Sequence, residues 1–192
     1  LDKVKRIQQL CRAHGYALHL DGARLFNALT VTGETPDAWG TVFDSASICL
    51  SKGLGAPVGS VLTGSRDFIA QARRVRKRFG GGMRQAGSIA AAGLHALEEH
   101  VQRLPDDHRR ARRLESVLRE LSYVHSVMPV QTNIIIYTLQ TEVDTRAHVA
   151  ALRNMGVLAM AISAHQVRMV THFDVDDAGI DSAVEALQRP HP

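Results

Sequence analysis

The sequence predicts an α/β fold with a smaller α+β domain towards its C-terminal end. In the first half, a helical repeat of apolar side chains is followed by short apolar runs, and this rhythm is typical of a parallel α/β sheet. In the second half, helices alternate with short strands that are close enough in sequence to pair antiparallel. We place the domain boundary near residue 100, so the predicted domains cover residues 1–100 and 101–192.

The composition is that of an ordinary globular protein. Of the 192 residues, 45% are hydrophobic and 22% are charged, which is enough for one good core or two small ones. No run approaches the ~18 apolar residues that span a membrane, so we expect no membrane partner. Cys11 and Cys49 have no metal-ligand spacing around them. We therefore expect no metal site, and we expect both cysteines to be reduced and buried in a cytoplasmic protein.

Helices are predicted where apolar side chains recur every three or four residues, and strands where short apolar runs end at turn residues. The first helix covers residues 2–14 and is closed by Gly15. The elements predicted next are a strand ending at Asp21, a helix over residues 23–29, a loop over residues 30–40, strands over residues 46–50 and 57–63, and helices over residues 66–79 and 85–104. The strand 46–50 has the composition of one buried on both faces, and at least one strand pair is expected to be antiparallel.

The second predicted domain begins after Pro105, which is expected to end the helix 85–104. Asp106 is expected to cap the next helix, which reaches residue 121. The remaining predicted elements are a strand over residues 133–139, a helix over residues 143–155, strands over residues 157–162 and 166–172, and a helix over residues 176–188. Helices and antiparallel strands in this order favour a small α+β domain.

Lys52 lies just beyond the carboxyl end of the predicted strand 46–50, where the chain breaks into glycines. Open α/β sheets bind their ligands at this end of the strands. A buried lysine amine is available as a nucleophile, which is the property that a Schiff-base lysine needs. The alternative is a lysine at a strand end that simply extends into solvent.

Asp21 ends the preceding predicted strand, and strand alternation puts His19 and Asp21 on one side of it. The carboxylate would then lie at the same edge of the sheet as Lys52. A carboxylate opposite a Schiff-base lysine is what a pyridoxal phosphate enzyme requires, because it keeps the pyridine nitrogen protonated. The alternative is that Asp21 is an ordinary helix N-cap.

Three long motifs carry a family resemblance. They are His-Leu-Asp-Gly-Ala-Arg-Leu-Phe-Asn-Ala at residues 19–28, Ser-Lys-Gly-Leu-Gly-Ala-Pro-Val-Gly-Ser at residues 51–60, and Gly-Gly-Gly-Met-Arg-Gln-Ala-Gly at residues 80–87. In this order and spacing the chain resembles the low-specificity L-threonine aldolases, which are pyridoxal phosphate enzymes of the aspartate-aminotransferase fold. The resemblance runs over residues 16–174.

The resemblance implies a fold. It implies the later part of the large, cofactor-binding domain of pyridoxal phosphate fold type I, with a mostly parallel sheet, followed by the small C-terminal domain. In the family, the glycine-rich phosphate loop and the histidine that stacks on the cofactor ring precede the Asp-Gly-Ala-Arg segment. Because the chain matches only the later part of the family's length, we expect it to be a fragment.

The resemblance also implies roles for residues near the cofactor. Lys52 would form the Schiff base with pyridoxal 5'-phosphate, and Asp21 would pair with the pyridine nitrogen. Arg24 would also help to bind the cofactor. Lys77 and Arg84 match basic residues at the entrance to the active site, close to the anions of cofactor and substrate and to a subunit interface.

Arg168 is a single arginine on an otherwise apolar predicted strand, and a buried guanidinium needs an acidic partner. From the residues alone, that partner could be a carboxylate of the same protein. The resemblance instead implies that Arg168, assisted by Arg24, binds the substrate carboxylate through a planar, two-bond contact. His19, His165 and His172 are candidate acid-base groups, but none is assigned as the catalytic base.

The resemblance implies a cytoplasmic homotetramer that cleaves L-threonine or allo-threonine to glycine and an aldehyde, with an amino acid as its small-molecule partner. A related β-eliminating lyase or a hydroxymethyltransferase would share Lys52 and Asp21. A non-catalytic fragment is a third alternative. The basic cluster at residues 73–78 could in principle bind nucleic acid, but it has no interleaved aromatic residues, and we expect no nucleic-acid partner.

Overall fold

The computed structural model describes residues 1–189 and divides the chain into two compact units, Leu1–Gln102 and a second unit that begins at Arg103. The elements of the first unit are α1 Asp2–Ala13, β1 His19–Gly22, α2 Leu25–Thr32, α3 Pro36–Gly40, β2 Ser45–Cys49, β3 Ser60–Gly64, α4 Arg66–Arg78, α5 Gly87–His95 and a π-helical turn, Ala96–His100. A 3-10 turn, Val101–Arg103, follows. The elements of the second unit are α6 Leu104–Glu120, β4 Val124–Val127, β5 Ile134–Leu139, α7 Thr145–Asn154, β6 Met160–Ala161, β7 Gln166–Val170 and α8 Asp177–Gln188.

The first unit contains a three-stranded sheet in the order β1-β2-β3. β1 pairs with β2 in parallel, in a register that sets Asp21 beside Ser47. The connection between them carries α2 and α3, as parallel strands require a crossover. β2 pairs with β3 antiparallel, which confirms the expected antiparallel pair.

Little of the first unit is deeply buried. All five residues of β2 are only half-buried, so the expectation of a strand buried on both faces was wrong. Large apolar side chains remain exposed on β3 and α4, and Phe79 at the end of α4 is 87% exposed. The buried apolar side chains of this unit are Leu25, Leu29, Val42, Leu50, Leu54, Ala56 and Ala96.

The second unit has its own sheet, in the order β4-β5-β7-β6, with antiparallel pairing throughout. Helices α6, α7 and α8 supply core residues to one face, where Leu118, Leu152 and Leu187 are fully buried. Along β5 buried and half-buried residues alternate strictly, as expected for a sheet with one covered face. This unit is the predicted small α+β fold.

The helix predicted over residues 85–104 was wrong in its length and its end. α5 ends at His95, and the chain continues through the π-helical turn and the 3-10 turn instead of a regular helix. Pro105 lies in the first turn of α6, where its missing N–H has no helical partner to lose. Asp106 is therefore not the cap of α6, because the N-cap position belongs to Arg103.

Three smaller expectations also need correction, and one strand was missed. The loop predicted over residues 30–40 contains α3, whose N-cap Thr35 accepts a hydrogen bond from the Ala38 amide. β4 was not predicted at all. The strand predicted over residues 157–162 is only the two-residue β6. Cys11 and Cys49 are free thiols, but both are half-buried and not buried.

None of the helices within residues 1–189 combines the length and the apolar character needed to cross a bilayer.

Candidate active site

Asp21 and the loop that carries Lys52 lie at the same edge of the first sheet. Because β1 and β2 are parallel and Gly22 is registered with Ile48, both strands end at that edge. β2 ends at Cys49, and Lys52 follows within the next turn. Asp21 and the loop of Lys52 therefore share one edge of the sheet.

The Asp21 carboxylate is exposed, and its direction is set locally. The backbone amide of Ala23 donates to Asp21 Oδ1 at 3.2 Å. This is a tight turn within the motif and not a helix cap, because the N-cap position of α2 is occupied by Arg24 and no side chain caps it. The N-cap alternative for Asp21 is therefore wrong. Asp21 forms no ion pair with a described residue of the first unit.

The packing around Gly22 explains why a glycine follows Asp21. A Cβ at this position would lie 2.9 Å from the carbonyl oxygen of Ser47 and 3.4 Å from Leu25 Cβ. Only a residue without a side chain lets β1 approach β2 this closely and then turn into α2. The Asp21-Gly22 pair thus fixes the position of the carboxylate at the end of β1.

The loop after β2 is closed by its own backbone hydrogen bonds. The Leu50 amide donates to Gly59 O at 3.0 Å, the Ala56 amide to Leu50 O at 3.0 Å, and the Gly55 amide to Lys52 O at 2.9 Å. Gly55 has a φ of 67°, in the left-handed region that favours glycine. These hydrogen bonds fix the backbone of the loop. The Lys52 side chain, however, is exposed, so Lys52 is not the buried lysine considered from the sequence.

His100 is the residue of this region that sequence reasoning missed. Its Nδ1–H donates to the carbonyl oxygen of Leu54 at 2.6 Å. Leu54 itself is 3% exposed. No sequence signal joins the two positions, because they are 46 residues apart and the helical register of His100 is changed by the π-helical turn.

Cys49 and His19 complete the polar side of this sheet. Burial works against ionisation of the Cys49 thiol, but hydrogen bonds with Ser51 and the charge of Lys52 hold its pKa below the ordinary value. His19 Nδ1 lies 2.8 Å from Ser45 Oγ on the neighbouring strand. We assign neither residue a chemical role.

Arg24 occupies the N-cap position of α2, three residues after Asp21, and is half-buried. Its carbonyl oxygen accepts from the Ala28 amide, which starts the helix. The motif therefore puts a guanidinium on the same short segment as the carboxylate.

Lys77 and Arg84 lie on either side of the glycine turn that follows α4, and both are exposed. The turn folds back on the end of the helix, since the Gly81 amide donates to Arg76 O at 2.9 Å. A Cβ at Gly82 would lie 2.8 Å from Lys77 Cδ, so the glycine makes room for the lysine side chain.

Arg168 lies in β7 of the second unit, on the face of the sheet opposite the packed core. It is half-buried, and its Nε is fully buried without a hydrogen-bond partner. No described carboxylate of the second unit forms an ion pair with it. The guanidinium borders a cavity of about 320 Å³, whose other lining residues are Arg153, Leu158, Ala159, Met160, Val170 and His172.

The remaining candidate histidines, His165 and His172, belong to the second unit. His172 Nδ1 lies 3.4 Å from an Asp174 carboxylate oxygen, and His165 is exposed after β6. A larger cavity of about 600 Å³ in the first unit has Leu20, Ala46 and Ile48 among its lining residues. Those residues alternate with Asp21 and Ser47, so that cavity lies on the other face of the sheet.

Comparison with known proteins places the chain in a family. The model of the beta-eliminating lyase family matches residues 1–142. The chain is 43% identical over 178 residues to the low specificity L-threonine aldolase of Escherichia coli (strain K12), covering 90% of this chain and 50% of that protein. It is 36% identical over 194 residues to low-specificity L-threonine aldolase 1 of Arabidopsis thaliana, covering 98% of this chain and 54% of that protein.

The solved structure of the Leishmania major threonine aldolase superposes on the chain with a TM-score of 0.79 at 21% identity, covering 97% of this chain and 55% of that one. This likeness shows the fold, that of the threonine aldolases and aminotransferases. The chain belongs to the beta-eliminating lyase family. It spans about half the length of the relatives that it matches.

Proposed function

We propose that this chain carries the cofactor-binding lysine of a pyridoxal phosphate-dependent aldehyde lyase, which cleaves threonine, allo-threonine and related β-hydroxy-α-amino acids to glycine and an aldehyde. The observation that carries the proposal is the parallel pairing of β1 with β2, because it brings Asp21 and the Lys52 loop to one edge of one sheet. The names of the E. coli and Arabidopsis relatives support this reaction.

The residues present fit pyridoxal phosphate. The cofactor's aldehyde needs a reachable amine, and Lys52 is exposed on a loop whose backbone is fixed. Its ring nitrogen needs a carboxylate, and that of Asp21 is exposed, oriented by Ala23 and without an ion pair in the described first unit. Lys77, Arg84 and Arg24 are cations that can face its anionic groups.

In the proposed enzyme, Lys52 would hold the cofactor covalently through its amine, and Asp21 would hold a proton at the pyridine nitrogen. When bound, pyridoxal phosphate supplies an electron-accepting ring for the pair of electrons left on Cα. Asp21 stabilises that charge by electrostatic preorganisation, which is commonly a large part of enzymatic rate enhancement. In the net reaction the Cα–Cβ bond of the substrate breaks, the β-hydroxyl loses its proton and becomes the aldehyde oxygen, and Cα gains a proton to give glycine.

Arg168 and Arg24 bind the substrate carboxylate in this proposal. Support for Arg168 comes from its buried, unsatisfied Nε and from the lack of a carboxylate partner in the described second unit. A guanidinium that is half desolvated gains by pairing with an incoming anion. The planar two-bond contact fixes the orientation of the amino acid, and so which bond at Cα is cleaved.

The proposal is tested by trapping the cofactor. The protein expressed from its complete gene is incubated with pyridoxal phosphate, reduced with borohydride, digested and mapped by mass spectrometry. We expect the pyridoxyl group on Lys52. A pyridoxyl group found only on Lys77, whose amine is also exposed, would reject the assignment.

The family match gives β-elimination as a second candidate reaction, since the matching model is that of the beta-eliminating lyases. Product analysis with threonine separates the two. Cleavage of Cα–Cβ yields glycine and acetaldehyde, whereas elimination of the β-hydroxyl yields a 2-oxo acid and ammonia. We expect glycine.

We further propose that the protein is a cytoplasmic homotetramer. The exposed apolar side chains of the first unit, among them Phe79, Leu62 and Val75, support association with other chains. Sedimentation of the protein expressed from its complete gene tests the state of assembly, and a monomer at all concentrations would reject it.

A further inference from the structure

His100 holds the backbone of the loop that presents Lys52. The imidazole Nδ1–H donates to the Leu54 carbonyl oxygen at 2.6 Å, across 46 residues of sequence. Leu54 is two residues after Lys52, and the next residue is Gly55 with its left-handed φ of 67°. The hydrogen bond therefore fixes the orientation of the peptide between Leu54 and Gly55, next to a glycine whose backbone is conformationally free.

The helix that carries His100 is seated directly on the end of β2. A Cβ at Gly93 of α5 would lie 2.9 Å from Leu50 Cδ1, so the helix packs closely against Leu50, the residue that follows β2. Ala96, which begins the π-helical turn, is fully buried. The helix is thus anchored on Leu50 before Lys52, and through His100 on Leu54 after it.

The π-helical turn Ala96–His100 sets the direction of the imidazole. A wider turn holds one residue more than an α-helical turn, which rotates the following side chains by about 100° around the axis. A regular helix through these residues would carry position 100 away from the direction it has here. Such turns within helices are frequent at functional sites.

We propose that His100 is a positioning residue, which fixes the loop over residues 51–56 and through it the direction in which Lys52 offers its amine. The consequence for catalysis rests on the proposed function, in which Lys52 binds the cofactor. The consequence for the loop does not, since it follows from the contacts of His100, Gly93 and Leu54 alone.

The test compares two substitutions at one position. His100→Leu keeps bulk and removes the donor, whereas His100→Asn keeps an N–H near the place of Nδ1. His14→Leu, at an exposed position after α1, is the matched control. Amide hydrogen exchange is followed in the peptide that covers residues 50–59, and steady-state kinetics are measured with threonine.

In His100→Leu we expect faster exchange confined to that peptide, and a kcat lowered about tenfold or more with KM almost unchanged, because a misplaced nucleophile slows chemistry more than binding. His100→Asn should restore most of both properties, and His14→Leu should change neither. A variant that loses only thermal stability, with normal loop exchange and normal kcat in its folded fraction, would overturn the proposal. If the wild type carries no pyridoxyl group on Lys52, the proposed function fails, and loop exchange alone then decides the role of His100.

Discussion

Asp21 makes a hydrogen bond that a neutral side chain can also make. Its Oδ1 accepts from the Ala23 amide, and asparagine keeps that acceptor while removing the charge. We expect Asp21→Asn to keep the melting temperature and to lower kcat about a hundredfold or more, because the ring nitrogen loses its anionic partner. The measurement is kcat on protein shown to contain cofactor.

Asp44→Asn is the matched control. The Asp44 carboxylate accepts from the Leu18 amide at 2.7 Å, at the opposite end of the same strands, so its loss should leave kcat unchanged. If Asp21→Asn stayed within about tenfold of wild type, a cost of only ~1.4 kcal/mol in transition-state stabilisation, Asp21 would not be the partner of the ring nitrogen.

A substitution at Arg168 distinguishes a contact with the substrate from a contact within the protein. No carboxylate in the described second unit pairs with it, so Arg168→Lys should leave the melting temperature nearly unchanged. Lysine keeps the charge but loses the planar two-bond contact, and we expect kcat/KM for threonine to fall about a hundredfold.

Arg110→Lys is the control for Arg168. Arg110 donates to Asp177 at 3.0 Å between α6 and α8, and this contact raises the pKa of the guanidinium. Its replacement should affect stability and spare kcat/KM. An Arg168→Lys protein that is less stable but fully active would remove Arg168 from the site.

At the scale of elements, the approach of β1 to β2 depends on one glycine. In Gly22→Ala the new Cβ would lie 2.9 Å from Ser47 O, a backbone atom that cannot move alone. We expect a loss of about 1–3 kcal/mol in the free energy of unfolding, measured in urea. Gly40→Ala, where a Cβ meets nothing within 4 Å, should cost almost nothing. Equal effects of both changes would contradict the close-approach argument.

Helix α6 carries an acid-sensitive group. His108 is 2% exposed, and burial together with the charge of Arg112 lowers its pKa from the ordinary 6.5. The unfolded chain therefore binds a proton near that pH while the folded chain resists it, so stability should fall as the pH drops below about 6.5. Urea midpoints at about pH 7.5 and about pH 5.5 measure this effect. His108→Gln should flatten the dependence, and His125→Gln, at an exposed position of β4, should not.

Elements were predictable where the pattern was local. The strands that end at Asp21 and near Lys52 could be read from short apolar runs followed by charges, and their parallel pairing followed from the helical crossover. β4 could not be read, because Val-His-Ser-Val has no apolar run and is a strand only through its pairing with β5. The π-helical turn was also hidden, because apolar spacing does not distinguish it from α-helix. The signal for α3, a threonine followed by Pro36, was present and overlooked.

At the scale of the whole molecule, the two units differ in how much they bury. The largest fully buried side chains, such as Tyr137, Leu104 and Ile180, all belong to the second unit. We expect amides of β5 and β7 to exchange with solvent far more slowly than amides of β1 to β3, because exchange follows the free energy of local opening. Mass-spectrometric hydrogen exchange on the whole chain measures both sets at once, and equal protection would contradict the division.

The outer side of β3 has a consequence for handling the protein. Within residues 1–189 this strand pairs with β2 alone, and all five of its residues, Val61 and Leu62 among them, are exposed. A free strand edge with apolar side chains is a template on which another polypeptide can add itself. Purification at high protein concentration should therefore favour precipitation through this edge, and dilution or a lysine at position 61 should keep the protein dispersed.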